Sequence, residues 1–124
     1  MLITMLHSKI HRANVTHSEL HYEGSMGIDT DYLDKAGMMH GQQIDVLNIN
    51  NGERFTTYII AEPRGSKRFG IYGAAAHLAD PGDKVIIIAY ARMTPEEAKA
   101  YKPNVIILDD DNNFVTEIHT DIEE

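Results

Sequence analysis

Hydrophobic and polar positions along this chain change period often, and most of the periods are short. From "LITML" through "KIHRANVTH" to "ELHYEG" the first third alternates loosely, which predicts extended backbone, with Val15 and Thr16 adding β-prone residues. "DTDYLDKAG" then predicts a short helix, with Asp and Thr near its start and Gly37 to end it. In "QQIDVLNINNGERFTTYIIAE" two β-prone runs flank Asn51-Gly52, which predicts a hairpin closed by a type I′ turn. "GAAAHLAD" reads as a helical turn stopped by Asp80-Pro81-Gly82-Asp83. "KVIIIAYARM" is nearly unbroken apolar sequence and predicts a strand buried on both faces. "TPEEAKAYKP" carries Thr94 at the N-cap, Pro95 at N1 and Glu97 at N3, a helix start. "NVIILDDD" predicts the last core strand.

Many short strands and little helix make the expected class mainly β. A small chain of this kind hides its strand edges either by closing a barrel or by pairing with other subunits. No repeat or linker interrupts the 124 residues, so a single domain over 1–124 is expected. No apolar run approaches the roughly 18 residues of a membrane span, and the N-terminus lacks the apolar core of a signal peptide. That predicts a cytoplasmic protein with no membrane partner. There is no cysteine, which removes disulfides, thiolate metal sites and a thiol nucleophile. The net charge of −8 argues against nucleic acid as a partner. Many of the acids gather in "LDDDNNFVTEIHTDIEE", where they read as a solvated tail.

Three patterns carry possible chemistry. His7/His11 and His17/His21 are i, i+4 pairs, but neither carries the Glu of an HExxH motif and no Cys or nearby carboxylate trio completes a set, so polar strand residues are the simpler reading and no metal is expected. In "RFTTY", Arg54, Thr56 and Tyr58 alternate onto one strand face and Thr57 onto the other. A guanidinium and a phenol so placed suit a carboxylate ligand, although snorkelling surface residues give the same pattern. Lys9 and His11 likewise share a face, and with Arg54 they would make a cationic exception in an acidic protein. "GAAAH" offers small residues whose backbone N–H groups an anion could approach; close packing explains it equally well. Gly24-Ser25, in "HYEGSMGI", reads locally as a turn.

Together "KIHRANVTHSELHYEGS", "NGERFTTYIIAEPRGS", "YGAAAHLADPGDKVII" and "EEAKAYKP" resemble the pyruvoyl-dependent aspartate decarboxylases, in order and over nearly the whole chain. The resemblance implies a double-ψ β-barrel with short helices, assembled as a homotetramer with active sites between subunits. It implies self-cleavage between Gly24 and Ser25 into a short β chain, 1–24, and a longer α chain, 25–124. Ser25 Oγ would attack the Gly24 carbonyl to give an ester, and Gly24, lacking Cβ, would tolerate the strained backbone involved. Elimination and hydrolysis then leave a pyruvoyl group at residue 25, with no pyridoxal phosphate and no metal. That ketone would take the α-amine of L-aspartate as a Schiff base, lose CO2 and release β-alanine, a precursor of pantothenate.

By the same resemblance Thr57 assists activation and also lines the substrate site. Tyr58 reprotonates the carbanion. Lys9, His11 and Arg54 hold carboxylates, Tyr22 positions the pyruvoyl end, and the Gly73, Ala74 and Ala75 backbone binds substrate. Because a regular strand separates Thr57 from Arg54 and Tyr58, a twist or bulge, or access from different sides, is expected. Two positions depart from the family pattern. Tyr72 stands where Asn is expected and Leu47 where a larger aromatic is common, so Tyr72 would modulate activation or substrate fit. Other readings of the sequence are a non-enzymatic barrel that binds without cleaving and a metal enzyme built on the histidine pairs. Whether an accessory maturation protein takes part is left open by the sequence.

Overall fold

In the computed structural model, residues 1–119 are described, and they are mainly β. The strands are β1 (Ile3–Asn14), β2 (His17–Glu19), β3 (Ser25–Asp29), β4 (Gln43–Asn48), β5 (Arg54–Glu62), β6 (Phe69–Tyr72), β7 (Lys84–Met93), β8 (Asn104–Leu108) and β9 (Phe114–His119). Two short helices, α1 (Thr30–Ala36) and α2 (Pro95–Ala100), and a 3-10 turn (Gly73–His77) complete the elements. All nine strands join one mixed sheet in the order β2-β6-β3-β5-β4-β7-β1-β8-β9. β1 runs parallel to β8, β2 to β6 and β3 to β5, and the other pairs are antiparallel.

The sheet curls around one core. Inward residues from strands far apart in the order, such as Ile71 on β6, Ile87 on β7 and Ile106 on β8, belong to a single buried cluster. α1 bridges the two ends of that order. Tyr32 stacks on Phe69 of β6 at 4.6 Å and tilts against Phe114 of β9 at 5.3 Å. Its hydroxyl donates to the Asn112 carbonyl at 2.6 Å, which satisfies the one polar atom of a buried ring. Asp29 caps α1, and Gly37 ends it in the left-handed region at φ 77°. The Thr94–Glu97 capping box starts α2 as expected.

Four expectations change. β7 alternates between buried and half-exposed positions, so only one of its faces lies in the core. The Asn51-Gly52 hairpin has a five-residue loop, 49–53, in which Gly52 has positive φ and Asn51 does not. A type I′ turn needs both, so it does not form. "ELHYEG" is not extended throughout: β2 ends at Glu19, and a turn follows. Asn104–Leu108 reaches the core through Ile106 and Leu108, but the acidic stretch after it is not all tail, because Phe114–His119 forms β9 against it. The acidic stretch is therefore partly sheet, and residues 120–124 of the expected tail lie outside those described.

Candidate active site

β3 opens at Ser25, and all five of its residues are buried. It lies between β5, which runs parallel to it, and β6, which is antiparallel. Ser25 is 5% exposed, while Gly24 just before it is exposed, so the Gly24–Ser25 bond stands where a surface turn enters the sheet. Ser25 Oγ donates to the Glu23 carbonyl at 3.3 Å, long for a hydroxyl donor and easily given up. Gly24 does not have positive φ, and an added Cβ there would meet nothing nearer than the Tyr72 carbonyl at 4.0 Å. Neither a positive φ nor a close neighbour therefore calls for glycine at position 24 in the uncut chain.

Close approach falls instead on Gly73. It has φ 76°, and an added Cβ would lie 2.5 Å from Gly24 Cα and 2.6 Å from Gly24 N. The backbone entering the 3-10 turn therefore packs directly on the segment containing the Gly24–Ser25 bond. Glycine is required by both geometry and space.

Two cavities flank this bond. One, of about 450 Å³, is lined by Gly24, Phe55, Thr56, Thr57, Tyr58, Ala74, Ala75 and Leu78. The other, of about 420 Å³, is lined by Tyr22, Glu23, Ser25, Tyr58, Ile60, Glu62, Arg68 and Tyr72. β5 pairs with β4 from Arg54 to Tyr58 without a register shift, so no bulge turns Thr57 toward Tyr58. Access comes from different sides: Thr57 lines only the first cavity, and Tyr58 lines both.

The cationic residues sit elsewhere on the same outer face. Arg54 pairs with Leu47 of β4, Leu47 with Ile86 of β7, and Ile86 with His11 of β1. Thr56, Asp45, Ile88 and Lys9 make the next cross-strand row. Three strand spacings separate β1 from β5, so Lys9 and His11 lie roughly 14 Å across the sheet from Arg54 and Thr56. Arg54 lines a smaller hollow of about 170 Å³ with Asp45, Leu47 and Tyr90. Within one chain the structure brings Ser25, Thr57, Tyr58, Tyr22, Tyr72 and Gly73–Ala75 together. Lys9 and His11 line neither cavity, and Arg54 lines only the adjoining hollow, which shares Phe55 and Thr56 with the first cavity.

Burial, then the cations of Lys9 and Arg12, hold His11 below its ordinary pKa of 6.5, and its Nδ1 is buried without a hydrogen-bond partner. Bulges in β1 at its pairing with β7, one beside His7 and one beside Arg12, disturb the alternation that would align His7 with His11. His7 instead stacks on Tyr101 at 5.7 Å. Among the described residues no three of His, Asp and Glu gather as a metal would need.

Six lining residues escaped the sequence reading: Glu23, Phe55, Ile60, Leu78, Glu62 and Arg68. Ile60 and Glu62 continue the alternation of Tyr58 along β5, a signal that was available. Arg68 had none, because β6 beside it was not foreseen.

Comparison with known proteins gives a consistent result. The family model described as "Aspartate decarboxylase" matches residues 1–115. Relatives named "Aspartate 1-decarboxylase" include one from Maricaulis maris, 56% identical over 93% of this chain and 95% of its own length. Another, from Phenylobacterium zucineum, is 54% identical over 92% of this chain and 97% of its own length. One from Caulobacter vibrioides is 54% identical over 90% and 95%.

Proposed function

The chain belongs to the aspartate decarboxylase family, and from that premise we propose that it cuts its own Gly24–Ser25 bond and then decarboxylates L-aspartate to β-alanine and CO2 in the cytoplasm. Membership makes it an enzyme of the decarboxylase class rather than a non-enzymatic binding barrel. The observation that carries the cleavage reading is the placement of this bond. It lies between two cavities, with Thr57 lining one and Tyr58 lining both.

In this reading Ser25 Oγ leaves its long bond to the Glu23 carbonyl and attacks the Gly24 carbonyl carbon. Thr57, lining the cavity on the Gly24 side, donates to the oxygen as it becomes negative. Gly73 keeps the 3-10 turn close enough to hold the Gly24 backbone during attack. The residues around position 25 fit a pyruvoyl group: a ketone carbon and a methyl need no more room than serine, and the 420 Å³ cavity opens beside them. When formed, that group supplies the electron sink for loss of CO2. Tyr58, 39% exposed and lining both cavities, stands ready to return a proton to the substrate carbon. Tyr22, against Tyr72, orders the chain end. Ala74 and Ala75 line the first cavity, where their backbone, with that of Gly73, would bind substrate.

We read the curled mixed sheet as a double-ψ β-barrel that assembles as a homotetramer. The outer face of β5-β4-β7-β1 supports this. It presents Leu47, Ile86, Ile88 and Tyr90 at half-exposed or exposed positions among Lys9, His11 and Arg54. Among the described residues neither Lys9 nor Arg54 has an ion-pair or hydrogen-bond partner. A neighbouring copy docked on this face would bring its own residue 25 to these cations, which would then hold the substrate carboxylates.

The test is intact-mass analysis of the purified chain during warming. Self-cleavage gives fragments 1–24 and 25–124, the second blocked at its N-terminus, together with β-alanine formation from L-aspartate. Ser25→Ala gives one uncut chain and no β-alanine. A wild-type chain that keeps intact Ser25 after prolonged warming, alone and with cell extract, refutes the proposal. Cleavage only with extract assigns a maturation protein.

A further inference from the structure

We propose that Glu62 is a positioning residue of this reaction centre, acting through Tyr72 to hold the aromatic ring back from residue 25; this rests on the decarboxylase reading above. Tyr72 of β6 stands directly opposite Ser25 of β3 in an antiparallel pair. Side chains of such a pair leave the same sheet face, with Cβ atoms about 5 Å apart. A tyrosine there has two broad choices. It can lie forward over residue 25 or backward along its own strand.

The backward course has been prepared for it. Gly70, two residues earlier on the same face, pairs with Gly27 of β3, so two adjacent positions carry no side chain. The ring fills this trough. An added Cβ at Gly70 would collide with the phenol oxygen and Cζ of Tyr72, and one at Gly27 would lie 2.8 Å from its Cε2. Neither glycine has positive φ, so the backbone does not demand glycine at either place. The trough exists for the ring and for the carboxylate at its end.

That carboxylate is Glu62. The Tyr72 phenol donates to its Oε2, and the Arg68 guanidinium lies 3.8 Å from its Oε1. The Glu62 side chain is only 12% exposed, so the contact is shielded from water. Burial first, and then the Glu62 contact, push the Tyr72 phenol up to about 12, and it keeps its proton to donate throughout the neutral range. On its other side the ring meets Tyr22 at 5.5 Å. A hydrogen bond to an ionised acceptor therefore selects the rotamer that leaves the cavity beside residue 25 open.

Removing that selection lets the ring cover residue 25 for part of the time. Covering competes with substrate, so the apparent KM rises by the inverse of the open fraction while kcat stays within about twofold. For loss of a hydrogen bond to a charged acceptor, the rise lies between about twofold, when the two rotamers are otherwise equal, and on the order of tenfold, when the covering one is otherwise preferred.

The experiment measures kcat and KM for L-aspartate in cleaved preparations of five variants. Glu62→Ala and Tyr72→Phe both raise KM by a factor between about two and ten, and Glu62→Gln, whose amide oxygen still accepts, recovers most of that loss. In a Tyr72→Ala background, where no ring is left to swing, Glu62→Ala adds no further rise. A KM unchanged by Glu62→Ala, or an equal rise with and without the ring, overturns the inference. So does a fall confined to kcat. One readout is independent of activity: a crystal structure of uncut Ser25→Ala/Glu62→Ala, in which the ring should have left the Gly27–Gly70 trough. A ring still seated there overturns the inference even if the wild-type chain proves to have no decarboxylase activity. A wild-type chain that fails to cleave while the ring moves as expected refutes only the proposed function.

Discussion

Gly73→Ala should damage both the fold and self-cleavage, and the size of the first effect follows from the structure. The residue sits at φ 76°, where a Cβ crowds the following carbonyl and costs about 1–2 kcal/mol. The same Cβ would stand 2.5 Å from Gly24 Cα, 2.6 Å from Gly24 N and 3.0 Å from the Tyr22 carbonyl oxygen. All three are backbone atoms, so no side-chain rotation relieves them, and overpacking of this kind costs a further 1–3 kcal/mol or thereabouts. The sum is about 2–5 kcal/mol. Stability is best read in the Ser25→Ala background, which stays uncut, by urea denaturation at fixed protein concentration. With a slope near 2 kcal/mol per M, the midpoint should fall by roughly 1–2.5 M. In the Ser25 chain, where relief of the clash displaces Gly24, intact-mass time courses should show cleavage slowed at least about tenfold, since misplacement on the order of 1 Å has costs of that scale or larger. A midpoint shift below about 0.3 M, with cleavage at the parent rate, would show that the 3-10 turn does not rest on the scissile segment as described.

Two other perturbations test the frame around the site. Asp29, 1% exposed, accepts from the backbone N–H groups of Asp31 at 2.8 Å, Gly65 at 3.1 Å and Lys67 at 2.7 Å, so Asp29→Ala orphans three donors and should cost on the order of 3 kcal/mol. Asp29→Asn, with one acceptor oxygen, should fall between the two, and equal urea midpoints for all three chains would contradict the cap. For His11, burial and the cations of Lys9 and Arg12 lower the folded-state pKa below 6.5, so the unfolded chain binds the proton more readily. Stability from this group is therefore present above pH 6.5 and declines as pH falls through 6.5 toward the folded value. An NMR titration of His11 should give a midpoint below 6.5, raised by Lys9→Met, and a midpoint at or above 6.5 is the contrary result.

Much of the local structure was legible because local chemistry writes it. Thr94, Pro95 and Glu97 announce α2 within four residues, and Gly37 ends α1 by the left-handed conformation that glycine adopts freely. The alternation of "RFTTY" correctly put Thr57 and Tyr58 on opposite sides of β5. β6 was missed because "FGIY" is four residues with a glycine in the middle, too short for a period to register. β7 was read as buried on both faces because an apolar run looks the same whether its second face meets core or stands half exposed.

By itself the sequence determined the mainly β class, the helix caps, the absence of cysteine chemistry and, through its matching segments, the family and the Gly-Ser pair at its centre. The tertiary structure decided what meets what. Placing β3 between β5 and β6 set Gly24–Ser25 between two cavities. It also moved the demand for glycine from Gly24 to Gly73 and laid Tyr72 along a trough toward Glu62. Lys9 and His11 were left three strands away on an outer face. Those relations join positions 10 to 50 residues apart, and they depend on which strands pair and in what register. No local pattern of apolar and polar residues encodes such a choice, because it is made only when the whole chain closes over a common core.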